Sequence, residues 1–426
     1  MVRERLNVLW IMTDQHRGQA MGCAGDPNVE TPNLDRLAKE GVRFSRAYTN
    51  TPLCTPSRAC LYTGQYITTH GALSNHYPVL PRQPVLAEIM RDNGYRTSHF
   101  GKWHMAGGCF GQHFVSPYFR PGWDDWTGWE CQHQDYFCTS YSRGTSPAIR
   151  KTNKYQTDWL ADQTIEWLKA QRRSRPWFHV VSIEPPHDPY VAPDEYMAAF
   201  RESALQFRPN VPLDHPIRDE GSSAIRGYYA QIRNIDDNIG RVIGALEETG
   251  QFDQTIIFYF SDHGDMMGSH GRMGKSRPEE ESSNIPLIVR HPNHPRGGTA
   301  DALIGSIDIM PTLQGLLEIP VPPSVEGQDF SDTVRGDNDK GADAVYLQYE
   351  GFGFVEQAQE KWRAIRSGPW SYACTQGGQP MQLFDLDSDP YQVTNLVDSP
   401  DYQPVRAELQ EAIEKKAFEI GDPFFG

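Results

Sequence analysis

The chain has 426 residues, 22% charged and 38% hydrophobic, a size that allows one large domain with an appendage or two to three ordinary domains. Its formal net charge of −15 speaks against a nucleic-acid binder, whose surface is usually basic, but not against a small anionic substrate held by a few local cations and a metal. No apolar run approaches the roughly 20 residues of a membrane span, so no membrane partner is expected.

Residues 6–13 (LNVLWIMT) form a continuous apolar run, as expected of a central strand covered on both faces. Thr31-Pro32 opens a helix that ends at Gly41. A helix from about Pro84 to Asp92 leads into a strand over Tyr95–Phe100, and residues 156–170 carry Trp159, Leu160, Thr164, Trp167 and Leu168 at helical spacing. Trp177–Ile183 is the next predicted strand. A long helix with Ile225, Tyr229, Ile232, Ile235, Ile239, Val242, Ile243 and Leu246 on one face then ends at Gly250. Strands over Thr255–Phe260 and Ile285–Arg290 and a helix over Ile307–Leu317 complete this part. Apolar strands alternating with amphipathic helices predict an α/β fold, a mostly parallel central sheet with helices on both sides.

The rhythm changes at the polar linker around residues 335–341. Short strand-like pieces follow at Ala344–Tyr349, Trp362–Arg366, Ser371–Cys374 and Gln382–Asp385, then a helix from about Gln403 to Phe418. The expected division is a catalytic domain over 1–335 and a smaller α+β subdomain over 336–426, an antiparallel sheet with one helix. Only five residues precede the first strand, with no signal-peptide stretch, which points to the cytoplasm for the chain as written, or to the periplasm or secretion if a leader has been trimmed away. Seven scattered cysteines (23, 54, 60, 109, 131, 138 and 374) suggest free thiols rather than a zinc site or a disulfide framework.

Two strands run into acidic pairs, Asp14-Gln15 and Asp262-His263. Ligands in open α/β sheets gather beyond the carboxyl ends of strands, so three oxygen donors and an imidazole far apart in sequence could meet on a divalent cation. Singly, an Asp after a strand is more often a cap or turn residue. Cys54-Thr55-Pro56-Ser57-Arg58 read alone is turn or helix-start chemistry, with Pro56 at the first helical position.

The same pentapeptide, followed by Ala59 and Leu61-Tyr62-Thr63-Gly64, resembles the signature of the type I sulfatases of the alkaline phosphatase superfamily. In that family the cysteine is oxidised to formylglycine, whose hydrated aldehyde attacks sulfur with one hydroxyl and later expels sulfate as the carbonyl re-forms. Further segments match in order. Thr31–Ala38 is similar to the family's first helix, and Gly94–His104 to its second signature. Glu184-Pro185-Pro186-His187 and Gly274-Lys275 also correspond, as do Glu279–Ser282, Ile307–Leu313 and the C-terminal Leu383–Pro390.

The resemblance implies an alkaline-phosphatase-like core and an enzyme that hydrolyses sulfate esters of carbohydrates or aryl alcohols. It further implies Cys54 as nucleophile, with Arg58 neutralising charge near the metal and Lys102 and Lys275 on the sulfate. His104 takes the diol proton and His187 acts as general acid. Asp14, Gln15, Asp262 and His263 hold one divalent metal, calcium first, with manganese or magnesium as competitors. Gln15 departs from the commoner pair of aspartates, and a similar ligand set occurs in relatives that cleave phosphonate monoesters and phosphodiesters, which is the alternative activity. A non-catalytic binder of sulfated glycans with unmodified Cys54 is the alternative of another class. The implied partners are an anionic small-molecule or saccharide sulfate ester and a formylglycine-generating enzyme, with an oligomer allowed.

Residues 105–150 and 190–225 fall outside the resemblance and are expected to shape the substrate pocket. Trp123, Trp126, Trp129 and Tyr136 either stack on a sugar ring or pack on themselves. His16, His70, His76, His99, His113 and His133 have no comparable frame and are read as structural or surface residues, with His70, His76 and His113 at most on a pocket rim.

Overall fold

The computed structural model describes residues 5–75, 77–80, 85–108, 111–133, 135–171, 175–201, 205–213, 217–294, 296–351 and 360–426. Ten strands form the large sheet: β1 (Asn7–Asp14), β2 (Val42–Tyr48), β3 (Arg96–Lys102), β4 (Asp125–Trp129), β5 (Ser140–Arg143), β6 (Arg150–Lys151), β7 (Trp177–Pro186), β8 (Thr255–Ser261), β9 (Leu287–Arg290) and β10 (Thr299–Gly305). Their spatial order is β10-β2-β9-β8-β1-β7-β3-β4-β5-β6. The run β8-β1-β7-β3-β4 is parallel throughout, which brings five strand carboxyl ends side by side.

All eight residues of β1 are buried, because helices cover both faces. Val8, Trp10 and Met12 join one core with Ala59, Leu61, Met310 and Leu313. Leu9 and Ile11 join the opposite core with Leu34, Leu37, Leu160, Leu168, Ile235 and Ile239. Alternate side chains of one strand thus nail the sheet to two helix layers. The helices that carry these residues are Pro32–Glu40, Cys54–Thr63, Gln156–Lys169, Ile217–Glu248 and Ile309–Leu316.

The mostly parallel sheet expected from the sequence is present, with departures. β9 runs antiparallel to both β8 and β2, and β5 and β6 form an antiparallel edge. β9 is reached from β8 without a crossover helix of usual length, and a parallel return needs such a connection. Thr31 does not cap its helix by side chain; its hydroxyl donates to Asp35 instead. The helix expected from Pro56 already begins at Cys54, and the one expected from Pro84 is described from Leu86, Pro84 itself lying outside the described residues.

The second sheet is β11 (Ala344–Tyr349), β12 (Trp362–Ser367), β13 (Trp370–Thr375) and β14 (Gln379–Asp385), antiparallel in sequence order. One face packs on Leu409, Ile413 and Ala417 of the helix Gln403–Glu419 and also on Cys60, Tyr66, Ile67 and Ile307. The other packs on Tyr48, Leu53 and Leu303. The cysteine-bearing helix is therefore clamped between the two sheets. The six described cysteines are free thiols, with Cys109 outside the described residues. Among the described residues no helix is long and apolar enough to cross a membrane.

Candidate active site

The five parallel strand ends deliver the chemistry. β1 ends in Asp14 and Gln15, β8 in Asp262 and His263, β3 in Lys102 and His104, β7 in Glu184 and His187, and β4 leads to Cys131 and His133. Facing them is the first turn of the helix Cys54–Thr63, buried at every position. Its free amides need partners in a site closed to water. Thr55 N donates to Asn75 Oδ1 at 3.0 Å, so a distant loop supplies the cap that Leu53 cannot.

Cys54 Sγ lies 3.3 Å from His263 Nε2, 3.1 Å from Lys275 Nζ and 3.9 Å from Asp14 Oδ1. Although burial works against the thiolate, Lys275 and Lys102 bring the pKa of Cys54 well below the ordinary thiol value. Residue 54 thus sits in a pocket of positive potential at a helix N-terminus.

Arg58, one turn on and fully buried, organises the carboxylates. Its Nη2 donates to Asp14 Oδ2 at 3.1 Å and its Nε to Asp262 Oδ2 at 3.0 Å. Asp14 Oδ2 also receives Lys102 Nζ at 2.5 Å. Each carboxylate keeps Oδ1 turned to His263 Nε2, at 3.5 and 3.7 Å. His263 Nδ1 lies 3.0 Å from the carbonyl of Gly264, which can only accept, so that nitrogen carries the proton and Nε2 presents a lone pair. Gln15 is sorted the same way. Its Nε2 donates to Asp265 Oδ2 at 2.5 Å, leaving Oε1 to face Lys275 Nζ at 2.8 Å.

The donor set of two carboxylate oxygens, an amide carbonyl and an imidazole lone pair fits a divalent cation. The carboxylates themselves argue for one. Against burial and the Cys54 charge, Lys102, His187 and Lys275 hold Asp14 far below the usual carboxylate range. Burial and the charge of Asp14 push Asp262 up, a repulsion that a cation between the two carboxylates would relieve. Asp14 pairs with Arg58 and Lys102, Asp262 with Arg58, and Glu184 with Lys102.

Lys275 Nζ also lies 2.7 Å from His187 Nε2, and His187 Nδ1 donates to Asp188, whose carbonyl is at 2.8 Å and carboxylate at 3.0 Å. Burial and Lys275 oppose the imidazolium, but Asp14 and the bond to Asp188 outweigh them and lift His187 to about 9. His104 behaves oppositely: burial and Lys102 push it down to about 4. The two imidazoles are thus driven in opposite directions by their surroundings.

All ten sequence-derived site residues therefore converge on one chamber. His133 corrects the expectation that it is structural or at the surface. Its ring stacks on His187 with centroids 3.9 Å apart, and its Nε2 lies 2.7 Å from Lys102 Nζ. It sits in the stretch 105–150, which carries no readable motif. Glu184, Asp265 and Asn75 were also missed; Glu184 alone had a visible signal, opening the Glu-Pro-Pro-His frame. Of the two readings for the aromatic group, self-packing is the one found: Trp126, Trp129 and Tyr136 are buried, and Trp126 stacks on His99. His16 is structural, between Tyr259 and Ala20. His70 packs near Cys60, and His76 lies outside the described residues.

The fold and this constellation define a hydrolase of anionic esters, and sequence comparison narrows the class. Residues 6–319 match the sulfatase family model, and residues 268–419 match the model described as the C-terminal part of N-sulphoglucosamine sulphohydrolase. The chain is 36% identical to an ulvan-active sulfatase of Formosa agariphila, over 98% of this chain and 82% of that protein. A crystal structure from Bacteroides fragilis assigned to the sulfatases superposes with a TM-score of 0.91 at 27% identity, covering 100% of this chain and 98% of that one. A structure solved with its substrate D-glucosamine-2-N,6-O-disulfate shares the fold, with a TM-score of 0.88 at 23% identity over 98% and 99% of the two chains. The chain belongs to the sulfatase family and is a sulfuric ester hydrolase.

Proposed function

We propose that the protein hydrolyses sulfate esters of saccharides or aryl alcohols, with residue 54 matured to formylglycine and one divalent metal held by Asp14, Gln15, Asp262 and His263. The observation that carries this reading is Cys54 Sγ standing 3.3 Å from His263 Nε2 and 3.1 Å from Lys275 Nζ at a buried helix N-terminus. The saccharide class follows the substrates named for the similar proteins. Formylglycine supplies a hydrated aldehyde whose two hydroxyls divide attack and release between them, and the metal supplies a Lewis acid for a sulfate oxygen.

The chain's own side chains do the rest. Lys102 and Lys275 bind sulfate oxygens and are preorganised by their bonds to Asp14 and Gln15, so charge developing in the transition state meets donors already in place. Arg58 fixes the two carboxylates without consuming their metal-facing oxygens. His187, protonated at neutral pH, gives its proton to the leaving oxygen. His104, neutral there, accepts the proton lost from residue 54. Cys54, Thr55, Pro56, Ser57 and Arg58 are all buried, so an oxidising partner enzyme must act before the fold closes over them.

Mass spectrometry of the peptide holding residue 54, from the native host, tests the nucleophile: an unmodified thiol in active enzyme ends the proposal. Cys54→Ala is expected to abolish turnover with an unchanged circular dichroism spectrum. Parallel rates on an aryl sulfate, phenyl phosphonate and a bis-aryl phosphodiester test the ester class, and the sulfate is expected to be fastest.

A further inference from the structure

Beside the oxygen-rich donor set lies a second cluster of a different chemical character. Ligand atoms of His104, Cys131 and His133 all fall within 4.8 Å of one another. His104 and Cys131 are buried, at 3% and 1% exposure, and the His133 side chain is 5% exposed. Among the described residues, buried His104 Nδ1 has no hydrogen-bond partner, which leaves its lone pair or proton without a mate in the fold. The frame is rigid. The His104 carbonyl accepts from Thr55 Oγ1 at 2.6 Å, and Cys131 is pinned by a backbone bridge to Gln112.

We propose that His104, Cys131 and His133 form a thiophilic metal site, distinct from the oxygen-rich one, that takes Zn2+ and switches the enzyme off when filled. One thiolate and two imidazoles with an open fourth position are a donor set for zinc, not for calcium or magnesium. Bonds of roughly 2.0–2.3 Å in tetrahedral geometry place ligand atoms about 3.3–3.7 Å apart, so the cluster needs to close by only about an ångström. Binding displaces the Cys131 proton to solvent and sets a thiolate beside Lys102, offsetting the ammonium that now contacts His133. The metal then removes His104 as a base and pulls His133 off Lys102. The two neighbouring clusters sort cations by hardness.

Cys54→Ala protein, which lacks the other thiol of the chamber, is titrated with Cd2+ as a spectroscopic stand-in for Zn2+. A saturable thiolate-to-cadmium absorbance of one equivalent is expected, and it should vanish in Cys54→Ala/Cys131→Ser. No band in the first protein, or a band that persists in the second, overturns the proposal. In the mature enzyme Zn2+ but not Ca2+ is expected to inhibit. Cys131→Ser should retain turnover and raise the half-inhibiting Zn2+ concentration by about 10-fold or more. Unchanged zinc sensitivity overturns the switch. Should the serine variants fold poorly, His133→Ala keeps the thiol and must shift the Cd2+ midpoint upward; an unmoved midpoint counts against the site. The absorbance reports metal on sulfur whatever ester is cleaved, so its failure leaves the sulfatase reading intact.

Discussion

At the scale of the residue, three non-glycine residues of the chamber stand on left-handed backbone, Gln15 with φ 68°, His104 with φ 57° and His133 with φ 45°. Each such conformation costs roughly 1–2 kcal/mol for an L-residue. Asp265 explains why position 15 is an amide. Both Asp265 oxygens are already engaged, by Met267 N, Gly274 N, Tyr190 OH and Gln15 Nε2. Gln15→Glu would set carboxylate against carboxylate, so it is expected to lower stability by about 1–3 kcal/mol in denaturant titration rather than to improve metal binding. His187, held at about 9, must be protonated to act as acid. The rate on a poor leaving group is therefore expected to fall as pH rises through that value. His187→Asn should cost roughly 10²–10⁴-fold on alkyl sulfates and much less on an activated aryl sulfate, read as kcat for each. Equal losses on both would remove the acid role.

At the scale of the element, the site depends on close approach between strands. A Cβ on Gly101, whose φ is 111°, would sit 1.9 Å from Ser182 O of the neighbouring strand β7. That contact lies next to Lys102, so Gly101→Ala is expected to displace the β3 end and lower kcat more than it raises KM. In the second sheet, Arg363 of β12 is tied by Nε and Nη2 to Asp422, both side chains being buried. Asp422→Asn leaves that guanidinium with Glu350 as its remaining carboxylate partner and is expected to cost about 1–3 kcal/mol by denaturant titration. Although burial opposes it, the bonds from Arg363 hold Asp422 below the usual carboxylate value. Its stabilisation is therefore present above the unfolded pKa and lost as pH falls through the folded one. The pH dependence of Tm below about 4 should flatten in the variant.

At the scale of the whole molecule, the two sheets share cores through Cys60, Tyr66, Ile67, Tyr48 and Leu53. Trp362 Nε1 donates to Ser276 O at 3.2 Å, and Arg366 pairs with Glu280 at 2.9 Å. The loop bearing Lys275 is thus held from the second sheet. Calorimetry is expected to give one cooperative transition, and a chain ending at residue 335 should lose turnover along with its fold; two separate transitions would contradict this. Chelation should lower Tm as well as rate, because Asp14 and Asp262 then repel each other, and added Ca2+ or Mn2+ should restore both.

Much of this was legible in residue order because it is local. Apolar runs mark strands buried on both faces, and Pro and Gly punctuate helices. The short frames around Cys54, Lys102, His187 and Lys275 carry their chemistry within a few positions. The acidic pairs at two strand ends could be recognised for the same reason. What tertiary structure decided is what depends on neighbours distant in the chain: the reversal of β9, the burial of the tryptophans, and the arrival of His133, Glu184 and Asp265. Of these three only Glu184 stands in a recognisable frame, and nothing in that frame says which residues it will meet. Their meaning comes from the parallel stacking of five strand ends, which sets side chains from residue 14 to residue 263 around one sulfur atom.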